Sequence, residues 1–278
     1  MIDCHDNSTF DTNYYTKKCI RTLMIEAPLV VFCSPKYTEL FTGIRRLFGL
    51  ESITRIIEVS LQDLEIYKYR EQIADCHKHT IPNPKGTPEF YTVVLSKFEL
   101  LKRVIDENPF NTSHVAWIDI NLLLKTFNSS LNYIEDTVFD KIQKIVAEPQ
   151  DKLTCGILNY WDRSYYADIY EFSKRYQWIV SACFFTCSCD VGRSLMPKAT
   201  AKAIELIQQR FCQGEEQVFA FLIDNNPENF NLYVSDYQDV INNYYTTTSN
   251  QNYVQWILSR YMSAMHMDTG KFARIRRS

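Results

Sequence analysis

Ser96-Lys97-Phe98-Glu99-Leu100-Leu101, then Asn108-Pro109-Phe110, then Val115-Ala116-Trp117-Ile118-Asp119-Ile120-Asn121 are the parts of one stretch whose reading decides the fold. Val94, Phe98, Leu101 and Ile105 fall at helical spacing, so the stretch opens as an amphipathic helix with one face on a sheet. Asn-Pro then breaks the helix. Val115–Ile120 is too short for a stable helix, and its Val, Trp and Ile suit a buried strand. That strand ends on Asp119, the one ionisable group in the run. An acid at the carboxyl end of a buried strand sits where α/β sheets bind ligands. A strand-end Asp is equally at home as a turn or capping residue, and the strand alone leaves both readings open.

Upstream, Pro28–Cys33 (PLVVFC) is a continuous apolar run, the pattern of a strand buried on both faces. Ser34-Pro35 starts a helix whose apolar stripe is Leu40, Phe41, Ile44, Leu47 and Phe48, closed by Gly49. Ile53–Ser60 reads as a second strand and Leu64–His79 as a polar, Tyr-rich helix. Ile81–Pro88, with its prolines and glycine, reads as a loop. Downstream, Ile134, Val138, Ile142 and Val146 mark a helix, and Lys152–Leu158 and Trp178–Ser188 are strands around a Tyr-rich helix near Ser164–Tyr176. Pro197–Phe211 and Glu215–Ile223 read as helices, Asn231–Val234 as a last strand, and Ser249 caps a final helix to about Met265. Alternating elements with no linker predict a single α/β domain over residues 1–278, with a mostly parallel central sheet flanked by helices. Residues 1–13 are expected to be a disordered end and 266–278 a basic tail.

The bulk composition narrows the function. The chain has 278 residues, 46% hydrophobic, with a net charge of −3, enough for a packed core and without a pull toward nucleic acid. Nine scattered cysteines are not a disulfide framework. The polar start Met1-Ile2-Asp3-Cys4-His5-Asp6 is no signal peptide, and no apolar run reaches the roughly 18 residues of a membrane span. A soluble, cytoplasmic protein is expected. With seven glycines, none closer together than Gly43 and Gly49, neither a G-x-G-x-x-G fingerprint nor a P-loop exists. Cys183, Cys187 and Cys189 lack paired zinc spacing and read better as buried thiols. Gly214-Glu215-Glu216-Gln217 presents acids and an amide on the first turn of a helix. The helix dipole favours acids there for purely structural reasons. The functional reading places Glu216 or Gln217 at the mouth of a site, facing a sugar hydroxyl as base or hydrogen-bond partner.

These residues together resemble the HtrL/YibB family, regarded as glycosyltransferases of the nucleotide-sugar type. The resemblance rests on PLVVF, the S-K-x-x-L-L helix around Lys97, Asn108-Pro109-Phe110, Trp117-Ile118-Asp119 and the Glu216-Gln217 pair. It implies a single GT-A-like (Rossmann-like) domain that moves a sugar from a nucleoside diphosphate such as UDP to a hydroxyl acceptor on glycan or protein. By that likeness Lys97, Trp117, Asp119, Asn121, Arg45 and Arg46 bind the donor, and Glu216 and Gln217 are catalytic. Asp119, joined by His266, would hold Mn²⁺ or Mg²⁺ against the diphosphate. The usual D-x-D reads Asp119-Ile120-Asn121 here, and the family's first strand would fall in polar sequence before Tyr14. Those departures keep a second reading open: a non-catalytic descendant acting as a binding or assembly protein. The sequence leaves the oligomeric state open, and Tyr-rich segments at Tyr160–Tyr176 and Tyr244–Tyr253 read as either interface or acceptor surface.

Overall fold

The structure is a computed structural model that describes residues 19–80, 86–123, 135–158, 172–174, 176–235, 237 and 239–245. β1 (Leu29–Cys33) is the expected apolar strand. It returns through α1 (Thr38–Leu47) to β2 (Thr54–Glu58), which lies parallel to it with Leu29 opposite Thr54 and Cys33 opposite Glu58. Gly49, at φ 71°, takes the left-handed turn that ends the helix. The stripe expected on α1 is only partly inward. Phe41 is sealed, whereas Leu47 is 79% exposed and Leu40 and Phe48 also meet solvent. Arg45, one turn beyond Phe41, takes the inward position instead.

α2 (Arg70–Cys76) precedes a pair of helices that replaces the single one expected over Val94–Ile105. α3 (Pro88–Leu95) begins on a proline, with Thr87 accepting the Phe90 N–H at its cap. Ser96 separates it from α4 (Lys97–Glu107). Asn108 ends α4 in the left-handed region at φ 36°, and its side-chain amide both donates to Thr112 O and accepts from Thr112 N–H. The Asn-Pro break is thus a built corner that aims the chain into β3 (His114–Ile118).

β3 belongs to a second sheet with α5 (Glu135–Ala147), β4 (Leu153–Ile157), β5 (Val180–Ser188), α6 (Cys189–Gln208), α7 (Glu215–Asn225) and β6 (Phe230–Val234) following in the chain. The strand order is β3-β5-β4-β6. The α/β class is as the sequence predicts, but parallel character is partial: β1–β2 and β4–β6 run parallel, while β5 runs against both its neighbours. β5 is buried along nearly its whole length, and an apolar run buried on both faces carries no mark of its direction.

One face of this sheet is covered by α3, α4, α6 and α7, where the Phe219 ring stands edge-on to Phe98 and Phe185. The other face takes α5, with Val138, Ile142 and Ile145 against Phe184, Tyr233 and Ile241. Gly192 lets α6 close on α4, since a Cβ there would lie 2.4 Å from Ile105 Cδ1. α6 itself starts at Cys189, capped by Ser188, and not at Pro197, which lies inside the helix. The helix expected from Ser249 and most of the Tyr-rich helix near Ser164 lie outside the described residues. Among the described residues, no helix is long and apolar enough to cross a membrane.

Candidate active site

β3 ends by delivering Asp119 to a group of buried charges. The Asp119 N–H donates to Cys183 O of β5 at 2.8 Å, continuing the ladder one step past the strand, and its carbonyl accepts the Leu122 N–H. Trp117 lies on the same side of the strand, two residues back, and its indole Nε1–H donates to Asp119 Oδ1 at 2.8 Å. Lys97, the first residue of α4, reaches the same oxygen at 3.1 Å.

Lys97 is 3% exposed. Its ammonium donates to Ala182 O at 2.6 Å and to Glu215 Oε1 at 2.9 Å, and lies 5.3 Å from the centre of the Trp117 ring. Burial opposes the charge, but the Asp119 and Glu215 carboxylates outweigh it and hold the lysine pKa above its ordinary value. Two of the ammonium protons go to Ala182 and Glu215, and the Asp119 carboxylate faces the same charge as an ion pair. Lys97, which the resemblance implied as a donor contact, lines the cavity and stands between the two acids. It clamps Asp119 to Glu215.

α7 supplies the other side. Glu215 is buried, and its second oxygen, Oε2, has no hydrogen-bond partner among the described residues. Glu216 is buried too and accepts from two hydroxyls, Tyr237 at 2.7 Å and Tyr176 on its other oxygen. Burial, reinforced by the Glu215 charge, pushes the Glu216 carboxyl up to about 8. Gly214 makes room for this arrangement, because a Cβ there would fall 2.4 Å from Tyr176 Cε2 and 2.6 Å from Glu216 Oε2. Glu216, expected at the mouth of a site, is therefore held by the Tyr176 and Tyr237 hydroxyls. Gln217 is turned elsewhere: its amide donates to Phe172 O at 2.9 Å, as Gln213 does to Ser173 O, so both pin a neighbouring segment.

The sequence matches, over residues 9–246, the family described as "Bacterial protein of unknown function (HtrL_YibB)". The chain belongs to the HtrL/YibB family. Among solved structures it is similar to the apo form of mouse xyloside xylosyltransferase 1, at 10% identity and a TM-score of 0.40, covering 87% of this chain and 92% of that one. No curated protein matches it.

In this HtrL/YibB protein the arginines considered for donor phosphates are elsewhere. Arg45 is fully buried and committed: it donates to Leu23 O (2.9 Å), Ile25 O (2.6 Å), Ala27 O (3.1 Å) and Thr54 Oγ1 (2.6 Å). Burial lowers its pKa from the usual arginine value. Arg46 pairs on the surface with Glu51 at 2.7 Å. Asn121, by contrast, lines a cavity of ≈ 420 Å³ together with Lys97, Trp117 and Asp119. His266 lies outside the described residues. Glu215, Tyr176 and Tyr237 join the site without having been singled out. Glu215 stood beside the chosen acid, and the tyrosines carried no signal apart from an excess of their kind.

A divalent cation fits this donor set only in part. Asp119 Oδ1 already takes Trp117 and Lys97, so what remains is its other oxygen and the neutral amide of Asn121. That is enough for a cation held jointly with a substrate diphosphate and water, and too little for an all-protein cage. Among the described residues no three His, Cys, Asp or Glu side chains converge on a metal position, which includes the Cys183, Cys187 and Cys189 group. Burial pushes the Cys187 thiol up to about 12, as expected of an inert core thiol.

Proposed function

We propose that this protein is a glycosyltransferase that moves a sugar from a nucleoside-diphosphate donor to a hydroxyl of a glycan or protein. The observation that carries the reading is the grouping of Asp119, Lys97, Glu215 and Glu216 at the carboxyl end of β3, beside a cavity. So many ionisable groups are costly to bury and are retained most often where chemistry uses them. The sequence resemblance on Asn108–Phe110, Trp117–Asp119 and Glu216–Gln217 points the same way.

In this reading Asp119 meets the donor with the oxygen that Lys97 and Trp117 leave open. Lys97 is a positioning residue that fixes the Asp119 carboxylate. Glu216, its carboxyl raised to about 8, takes the proton of the acceptor hydroxyl by way of the Tyr237 or Tyr176 hydroxyl bonded to it. A bond forms between that oxygen and the sugar's anomeric carbon, the bond from that carbon to the diphosphate breaks, and the negative charge leaves with the diphosphate. Mn²⁺ or Mg²⁺ bound with the donor would rest on Asp119 and Asn121 and offset that charge.

A thermal-shift series with UDP, GDP and their sugars, with and without Mn²⁺, tests the reading on wild type and Asp119→Ala. A ligand that binds only the folded state raises the melting temperature by mass action. The expected result is a shift with one nucleotide, strengthened by Mn²⁺ and lost in Asp119→Ala. No shift with any nucleotide, in a protein that melts cooperatively, favours the second reading, a non-catalytic binding or assembly protein. One observation speaks for it: Lys97 and Gln217 are both turned to internal partners.

A further inference from the structure

Two buried thiols meet where α2 packs on the end of α6. Cys76 is the last residue of α2, and its Sγ–H donates to Ile207 O at 3.5 Å. The chain then leaves α6 in a tight turn. Arg210 N–H donates to Ile207 O, Phe211 N–H donates to Leu206 O, and Arg210 takes the left-handed region at φ 64°. This turn brings Cys212 back against Cys76, and the two side chains are hydrogen-bonded to each other. Beside them Asp75 and Arg210 form an ion pair at 3.1 Å. α2 and the turn are thus joined twice, by a part-exposed ionic contact and by a sulfur contact sealed in the core.

Other described thiols have partners of a different kind: Cys33 meets Thr38 Oγ1, Cys183 meets Ser181 Oγ, and Cys189 donates to Thr112 O. Burial raises Cys155 and Cys187 above the ordinary thiol value. Cys76 goes the other way. The hydrogen bond from Cys212 outweighs burial and holds Cys76 below that value, while Cys212, as the donor, is held well above it. One thiol is prepared to ionise and its neighbour to keep its proton. A nucleophilic thiolate beside a protonated second thiol is what disulfide formation needs.

We infer that Cys76 and Cys212 are a reversible disulfide site, closed by a small hydroperoxide and reopened by a thiol reductant. The Cys76 thiolate attacks one peroxide oxygen, the O–O bond breaks, and the departing hydroxide takes the proton that the thiol gave up. The resulting sulfenic acid is then attacked by the Cys212 sulfur. An S–S bond forms, the S–O bond breaks, and the Cys212 proton leaves with that oxygen as a second water. The two thiols lose two electrons and two protons, and the peroxide is reduced to two waters. A buried pair favours so small an oxidant over a bulky disulfide. Closure draws the sulfurs from hydrogen-bond contact to ~2.05 Å. It fixes the turn that leads through Gln213 and Gly214 into α7, the helix that carries Glu215 and Glu216. The inference stands without the donor reading, because it uses neither the cavity nor Asp119.

Peptide mapping of the folded full chain, before and after brief exposure to hydrogen peroxide, tests it. The free thiols are alkylated before digestion, and the digest is run without reductant. The expected product is a Cys76–Cys212 cross-linked peptide that dithiothreitol dissolves. Because the two cysteines are distant in the chain, the cross-link restricts the unfolded state strongly, so the melting temperature should rise by about 5 °C or more and fall back on reduction. Cys76→Ser and Cys212→Ser should each lack both responses. The mapping is read on wild type, so it does not depend on either variant folding. Absence of the cross-link overturns the proposal, as does pairing of Cys76 with any other cysteine or its passage to sulfinic acid. A cross-link that leaves the melting temperature unchanged or lower overturns it too, since the fold would then have to break to make it. No nucleotide enters this experiment, so its failure is distinguishable from failure of the donor reading.

Discussion

Arg45, in the last turn of α1, and Lys97, at the first residue of α4, are both buried cations, yet their surroundings differ in kind. Arg45, under the β1–β2 unit, donates to three backbone carbonyls and one hydroxyl, none of which can titrate. Lys97, at the end of β3, donates to one carbonyl and one carboxylate and is ion-paired with a second, with Glu216 just beyond. The arginine's planar fork gathers the chain between Leu23 and Ala27 into a fixed bend and holds it to β2. The lysine's point charge holds two acids together that would otherwise repel. A cation among neutral acceptors shapes a loop, whereas a cation among acids sets the electrostatics of a site.

The largest effect belongs to Lys97→Met. It leaves Glu215 as an unpaired buried charge and takes the cation from the part-exposed Asp119, and removing one partner of a buried pair costs about 3–5 kcal/mol. Urea unfolding should show that loss, and any Asp119-dependent nucleotide shift should vanish with it. Arg45→Met comes next, at about 3 kcal/mol, from stranding buried carbonyls. It should leave nucleotide binding in the surviving folded protein as in wild type. If Arg45→Met abolished a shift that Lys97→Met retained, the roles assigned to the two cations would be reversed.

The contrast also explains how much could be read from the sequence. β1, β3 and β5 were legible because continuous apolar runs encode burial, and the Asn108-Pro109 corner because few residues accept that geometry. The start of α6 was not: Pro197 looks like a first-turn proline, while the true cap, Ser188, is hidden at the end of an apolar strand. Arg45, which the resemblance implies as a donor contact, is drawn inward by the carbonyls of a distant bend that nothing in the sequence marks. At the site, the position of Asp119 at a strand end was legible. The identity of its partners was not, since Lys97 and Glu215 are 118 residues apart and meet only through tertiary packing.

Glu216 makes a smaller and more specific prediction. Its folded pKa, about 8, lies above the ordinary glutamate value of 4.5, so the folded chain keeps a proton that the unfolded chain has lost. Stability must then fall as pH rises from about 4.5 to about 8, because the proton has to be given up in a buried site. Glu216→Gln removes that dependence. Melting curves between pH 5 and pH 8 should show a declining temperature for wild type and a flatter one for the variant, with the gap moving in the variant's favour at the alkaline end. Equal slopes would mean that Glu216 ionises normally beneath Tyr176 and Tyr237, and its role as a proton carrier near neutral pH would go with it.

The smallest effect belongs to Arg46→Ala. Arg46 and Glu51 form an ion pair whose side chains are 65% and 50% exposed, and such pairs are screened by solvent and opposed by side-chain entropy. The melting temperature and the nucleotide response should both stay where wild type has them. Arg46 is the next residue after Arg45, so the two substitutions separate chemistry from position. A loss on Arg45→Met with none on Arg46→Ala assigns the stability to the buried fork and not to positive charge on α1. A loss of nucleotide response on Arg46→Ala would instead bring the surface of α1 into the donor site.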